Sequence, residues 1–383
     1  MTQSDTSQKR ILGVLIGGSG LIGGTLAHYF KTQTSANIDL RAPSSKKLSI
    51  RNSADIKDYL KRIRPDFVIN TAIANIGSDS QLALEVNYVG TLNMARAAAA
   101  MEIPYIHVSS AATLPNGENL SEEDSVSITP KLNNYAKSKL MAEETLKYMH
   151  KTVGLDYTCI RLAIVYGEHD HKIQGFHRLF FSIADESMPV LFTKKGIMHS
   201  YSNANKFPYF VHHVLNNREE FSGETYHFVD RNPVELVDLI LTIRSYLELN
   251  GPREIYVPYS MAIFGKKCLE ILLKGLTRLG IKGGLPAELM FLESFYKTQT
   301  LSAKKLLNSS FIDPMPDENI YTKLPALVVY YLTRWTHENI ISTFNEKVLH
   351  PNAMSNEFDK SPLELLETVH QDSTLPFIEL RPK

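Results

Sequence analysis

Gly17-Gly18-Ser19-Gly20-Leu21-Ile22-Gly23 closes the short apolar run that begins at Ile11 and precedes a helical pattern at Leu21–Phe30. A chain turning this tightly from strand to helix needs glycine. A pyrophosphate can then approach the backbone without a Cβ in the way, and the helix N-terminus offers it unpaired N–H groups and a positive dipole. Glycine-rich turns are common, so the motif alone is weak, and its strand-loop-helix setting gives it meaning. The expectation is a dinucleotide site.

Outward from this loop, apolar runs and helical patterns alternate. Strands are expected at Asn37–Arg41, Asp66–Asn70, Tyr105–Ser109 and Tyr157–Arg161, with helices near 53–63, 83–101 and 133–150. Alternation of this kind marks βαβ units, hence an α/β protein with a Rossmann-type, doubly wound parallel sheet. After 165 the order loosens, with a loop-rich stretch to about 205. Pro208–Val214 and Thr225–Val229 read as late strands of the same sheet, and Val234–Leu249 as a helix. The expected organisation is a disordered leader over 1–10 and a dinucleotide-binding domain over 11–165 plus about 206–230. A smaller, mostly helical substrate domain takes 166–205 plus 231–335, and 336–383 form a peripheral tail.

Composition narrows the class. The chain has 383 residues, 43% hydrophobic and 21% charged, enough for a buried core. Its formal net charge is zero, so nothing argues for nucleic acid as a partner. Two distant cysteines, Cys159 and Cys268, give neither a disulfide framework nor a metal-like spacing. With a polar N-terminus and no apolar run long enough to span a bilayer, the expectation is a cytoplasmic protein acting on a small molecule.

Asn134-Tyr135-Ala136-Lys137-Ser138-Lys139 puts Lys139 one helical turn beyond Tyr135, on the same face. A nearby ammonium lowers a phenol's pKa, so the tyrosine can exchange a proton with a substrate oxygen near neutral pH. Such chemistry also wants a hydroxyl to hold that oxygen. Ile106-His107-Val108-Ser109-Ser110 is a strand ending in two serines, of which Ser110 is preferred and Ser109 held in reserve.

These residues resemble the extended short-chain dehydrogenase/reductase family over about residues 11–230, including its glycine spacing. Asn87-Tyr88-Val89-Gly90-Thr91-Leu92-Asn93, Arg161-Leu162-Ala163-Ile164-Val165-Tyr166-Gly167 and Phe210-Val211-His212-His213-Val214 are similar to further family segments. Within the family, Arg64-Pro65-Asp66-Phe67-Val68-Ile69-Asn70-Thr71-Ala72 and His107–Ser110 look most like the keto-reductases of nucleotide-sugar biosynthesis, the dTDP-4-dehydrorhamnose reductases and GDP-fucose synthases. The resemblance implies hydride transfer to or from a nicotinamide. Tyr135 is then the acid or base, Lys139 tunes it and binds the nicotinamide ribose, and Ser110 orients the oxygen. It places the cofactor against Gly17, Gly20, Leu21, Ile22, Gly23, Arg41, Ala72, Asn87, Tyr135 and Lys139, implies no metal, and makes a homodimer usual. His177 stands at about the distance of the GDP-fucose synthase acid histidine, although a histidine on a polar loop is more often solvated.

Eighteen residues beyond Gly23, where NAD-specific relatives carry an acid, stands Arg41. A guanidinium suits a 2′-phosphate, so NADP(H) is expected, with NAD(H) as runner-up because a small shift would bring Asp39 to that place. Ser44, Lys46 and Lys47 follow closely. After Ser110 come Ala111 and Ala112, where dehydratases of the family carry an acid pair. Neither alanine moves a proton, so plain oxidation or reduction is expected.

Past 250 the resemblance shifts towards 3β-hydroxysteroid dehydrogenase-like members, which act on lipids. Met261–Ile281 draws as one helix, with Lys267, Lys274 and Arg278 on a narrow face and Phe264, Cys268, Ile271, Leu272, Leu276 and Leu279 opposite. Packing on the core is the simpler reading, a membrane-surface contact the sharper one. Trp335 is expected in the core. The leading function is therefore a nucleotide-sugar-like ketone/alcohol oxidoreductase. A 3β-hydroxysteroid-type lipid enzyme, an NAD-retaining sugar epimerase and a non-catalytic nucleotide-binding regulatory subunit are the alternatives.

Overall fold

Val14, Leu15 and Ile16 are all buried, but they alternate between two cores on opposite faces of one sheet. Leu15 packs with Leu26, Phe30 and Phe210, and Val14 and Ile16 with Ile56, Met94 and Leu146. A strand whose successive side chains are all apolar has to be covered on both sides by helices. The computed structural model describes residues 10–33, 37–185, 195–249, 257–278, 292–338, 340 and 358–371.

In chain order the strands are β1 (Ile11–Ile16), β2 (Ile38–Arg41), β3 (Phe67–Asn70), β4 (Tyr105–Ser110), β5 (Gly117–Leu120), β6 (Tyr157–Leu162), β7 (Ile164–Tyr166), β8 (Met198–His199), β9 (Tyr201–Asn203), β10 (Glu224–Phe228), β11 (Val234–Glu235) and β12 (Gln299–Leu301). Six of them form one parallel sheet in the order β10-β6-β4-β3-β1-β2. The order reverses between β1 and β3, and the crevice at their carboxyl ends is where such sheets receive ligands. The five early strands and the late strand at 225–229 fall where the sequence puts them.

The stretch Pro208–Val214 does not. It lies within a helix, Phe207–Asn216, with the proline in its first turn. Proline has no N–H to lose there and its φ suits a helix start. Phe207, Phe210, Val211 and Val214 recur at helical spacing and are fully buried beside Phe221 and Phe228. The loop-rich stretch before 205 likewise holds a helix, Gly175–Ala184, and two short strands, β8 and β9. Beyond the main sheet, β11-β8-β12-β5 and β7-β9 form two small sheets, so strand accompanies helix there.

By its internal contacts the chain falls into two units, Met1–Leu324 and Pro325–Lys383. In the second, Trp335 is fully buried and stacks on Tyr331 with ring centroids 6.0 Å apart. The expected leader, apart from Arg10, and most of the expected tail lie outside the described residues. No helix among the described residues is long and apolar enough to cross a membrane. The helix expected at 261–281 is present as Tyr259–Arg278, with 279–281 outside the described residues. Its apolar face is not packed on a core, however: Met261, Phe264, Ile271 and Leu272 are all exposed.

Candidate active site

At the end of β1 the chain turns through Gly17 at φ +87°, in the left-handed region that costs most side chains dearly. A Cβ there would stand 2.7 Å from the backbone nitrogen of Ala72, and one on Gly23 would collide with the Gly17 carbonyl. The two glycines thus let the loop, the start of the Leu21–Thr32 helix and the end of β3 close on each other. Gly20 precedes that helix and donates its N–H to the Gly17 carbonyl at 3.0 Å. No side chain caps the helix and no acid sits in its first turn, so the N–H groups at Leu21 and Ile22 face no competing carboxylate. This is a cradle that fits a pyrophosphate.

Arg41 ends β2, half exposed, with Nε 3.6 Å from Asp39 Oδ2. A Cβ on Gly18 would come within 2.7 Å of the Ala42 Cβ, so the residue after Arg41 touches the glycine loop. Asp39, the rival for this position, is instead the partner of Arg41. Lys46 and Lys47 follow, both exposed. Asn87 is buried and occupied: its Oδ1 accepts from Ala74 N at 2.7 Å and its Nδ2 donates to Ser138 Oγ at 3.0 Å. It ties the segment after β3 to the tyrosine helix.

That helix, Asn134–Val153, is set by its ends. Asn133 accepts from Ala136 N at 2.8 Å, and Gly154 terminates it in a left-handed conformation. Tyr135, Ser138, Lys139, Ala142, Glu143 and Leu146 recur at helical spacing and are buried. The Tyr135 hydroxyl lies beside the Ser110 side chain, which acts to lower its pKa. The Ser109 hydroxyl donates instead to Glu143, two turns further on along the same helix. The structure therefore brings Ser110 to the tyrosine and gives Ser109 another task. Ser110 Oγ also accepts from Ala112 N at 3.2 Å, in the short turn containing Ala111 and Ala112.

The electrostatics differ from the sequence expectation. Burial pushes the Tyr135 phenol above its ordinary pKa; the neighbouring Ser110 hydroxyl pulls the other way and the Glu143 charge adds to the rise. The Lys139 ammonium is held at the sheet, donating to the Val108 carbonyl at 2.8 Å. Burial pushes Lys139 itself down to about 8, against the opposing influence of Cys159 and Glu143.

Glu143 is the member of this group that the sequence reading missed. It stands eight residues beyond Tyr135, two turns along the same face, and that spacing was its available signal. Arg161 on β6 grips it in a buried pair, Nη2 to Oε2 2.8 Å, and donates further to the Glu122 carbonyl at 2.9 Å. His177 is not solvated as a polar-loop histidine would be. It is buried on the Gly175–Ala184 helix with Nδ1 3.8 Å from Asp170.

A cavity lies beyond the carboxyl end of β6, lined by Ile164, Phe176, Leu179, Tyr201, Leu236 and Phe295, with Arg178 its one fixed cation. Ile164 opens β7 two residues after Leu162, the register partner of Ser110. The wall is overwhelmingly apolar.

Residues 14–195 match the NAD dependent epimerase/dehydratase family. The GDP-L-fucose synthase of Dictyostelium discoideum is 22% identical over 269 residues, covering 65% of this chain and 83% of that protein. The structure of a dTDP-4-dehydrorhamnose reductase from Bacillus anthracis in complex with NADP superposes with a TM-score of 0.53 at 18% identity, over 65% of this chain and 85% of that one. A dTDP-glucose 4,6-dehydratase from the same organism, in complex with NAD, reaches a TM-score of 0.61 at 16% identity, over 85% and 97%.

Proposed function

We propose that this chain, whose residues 14–195 match the NAD dependent epimerase/dehydratase family, is an NADP(H)-dependent oxidoreductase interconverting a ketone and a secondary alcohol. The observation that carries this reading is the buried Tyr135 with Ser110 beside its hydroxyl and Lys139 one turn away.

The glycine cradle would hold the pyrophosphate, and Arg41 the 2′-phosphate of NADP(H), which supplies or takes the hydride when bound. In the reducing direction Tyr135 gives its hydroxyl proton to the substrate oxygen, and Ser110 donates a hydrogen bond that fixes that oxygen. Lys139 has three N–H donors and Val108 uses one. Two remain for a ribose hydroxyl and for the charge left on Tyr135. Ala111 and Ala112 add no proton-transfer group, which favours plain oxidation or reduction over dehydration.

A nucleotide-sugar-like substrate is supported by the names of the relatives. An apolar or lipid-like ketone is the second reading, favoured by the wall of Ile164, Phe176, Leu179, Leu236 and Phe295.

The test is Tyr135→Phe, assayed in a screen of nucleotide-sugar and apolar ketones with NADPH. The variant should lose about 10²- to 10⁴-fold in turnover while binding NADPH as the parent does. Near-full activity in the variant would overturn the assignment.

A further inference from the structure

We propose that the helix Tyr259–Arg278 seats this protein on an anionic lipid surface, lying in the headgroup layer with its apolar face inward. At 100° per residue, Met261, Phe264, Cys268, Ile271 and Leu272 fall within an arc of about 100°. All five are exposed, with Phe264 at 69%, Ile271 at 70%, Met261 at 63% and Leu272 at 58%. No charged residue falls in that arc. Ala262, Leu269 and Leu273, on other sides of the helix, are half-buried, so the large apolar side chains that stand exposed are those of the stripe. Single exposed apolar residues are ordinary, but a continuous stripe of large ones is the feature that marks an interaction surface.

Charge selects the occupant. The helix carries Lys266, Lys267, Lys274 and Arg278 against one acid, Glu270, in a chain whose overall charge is zero. Anionic headgroups neutralise such an excess, whereas a second copy stacked on the same stripe would bring two cationic helices together. Lys266, Lys267 and Glu270 also interrupt the apolar sequence, so the helix suits lying on a bilayer and not crossing it.

The helix start is fixed beside the apolar cavity. Tyr259 donates to Glu293 at 3.3 Å, meets the Tyr296 ring at a tilt with centroids 5.2 Å apart, and lies under the Lys297 ammonium. Glu293 belongs to the turn Leu292–Phe295, whose Ser294 and Phe295 line that cavity. A lipid surface under this helix would therefore lie next to the turn that walls the cavity.

Full-length protein is mixed with vesicles of phosphatidylcholine alone, or with added phosphatidylglycerol, and floated on a density gradient. The proposal expects it to float with the phosphatidylglycerol vesicles, less with phosphatidylcholine alone, and less at high salt. Phe264→Asp with Ile271→Asp should weaken binding more than ~10-fold, and Lys266→Glu with Lys267→Glu should remove the preference for phosphatidylglycerol. Circular dichroism and melting temperature should match the parent in both variants, since these four side chains hold no core. Three outcomes overturn the proposal: a parent that floats with neither vesicle, an aspartate variant that binds as tightly as the parent, and a dimeric parent that the aspartate variant converts to monomers. The last assigns the stripe to a second copy of the chain.

Discussion

Arg161 reaches from β6 across to Glu143 in a two-pronged ion pair, with Nη2 2.8 Å and Nε 3.1 Å from Oε2 and both side chains almost wholly buried. Glu143 also accepts from Ser109, so the pair ties the tyrosine helix to two adjacent strands of the sheet. His227 sits beside it without competing, because burial and the Arg161 charge push its pKa down to about 3 and it stays neutral.

Breaking this pair from one side should be costly. A buried charge left without its partner destabilises by about 3–5 kcal/mol, whereas replacing both by apolar groups of similar volume is often close to neutral. Glu143→Gln should therefore lower the urea midpoint markedly. Arg161→Met with Glu143→Leu should recover much of the loss. Equal loss in the single and the double variant would show that the strand-helix tie is not the pair's role.

The two serines should separate cleanly. Ser110→Ala removes the hydroxyl that meets Tyr135, and turnover should fall by about 10²-fold with an unchanged melting temperature. Ser109→Ala leaves Glu143 short of one hydrogen bond, so stability should fall by about 1–3 kcal/mol with turnover largely kept. Steady-state kinetics and thermal melts on both variants decide it. The reverse pattern would exchange their roles.

On the proposed reading, cofactor choice rests on Arg41. A charged hydrogen bond to phosphate is worth about 1.5–3 kcal/mol, so Arg41→Ala should weaken NADPH binding roughly ten- to hundredfold and leave NADH nearly unchanged. Fluorescence titration of both cofactors measures it. Parent protein that binds NADH more tightly than NADPH would return the position to Asp39.

Lys139 predicts a pH dependence of stability. Its pKa is 10.5 when unfolded and about 8 in the fold, so between those values the unfolded chain binds more protons than the native one. Stability conferred by this group therefore rises as pH climbs from about 8 to 10.5 and is flat below 8. The full span amounts to about 3 kcal/mol. Urea unfolding of the parent and of Lys139→Met at pH 7.5 and 10 should show the parent gaining relative to the variant. A difference that stays constant with pH would contradict the burial-driven shift.

The sequence by itself determined the parallel sheet, the glycine turn and the tyrosine helix, because each is encoded locally. Apolar runs buried on both faces, glycines at a turn and a four-residue spacing on one helix face can all be read without knowing what packs against them. The same locality explains the misreading of Pro208–Val214. A short apolar run has no unambiguous period, and the proline that reads as a helix breaker stands in the first turn, where it is harmless. What lay beyond the sequence was every feature that joins distant segments. That Ser110 and not Ser109 meets Tyr135 depends on where the helix lies along β4, since Ser109 faces the same helix two turns further on, at Glu143. Glu143 finds Arg161 only because β6 lies beside β4. Lys139 finds the Val108 carbonyl because burial makes an unpaired ammonium costly. Whether the apolar face of Tyr259–Arg278 is covered was equally undecided in the sequence. A helical stripe specifies that something apolar can be met, and only the packing of the rest of the chain reveals that the described residues leave it bare.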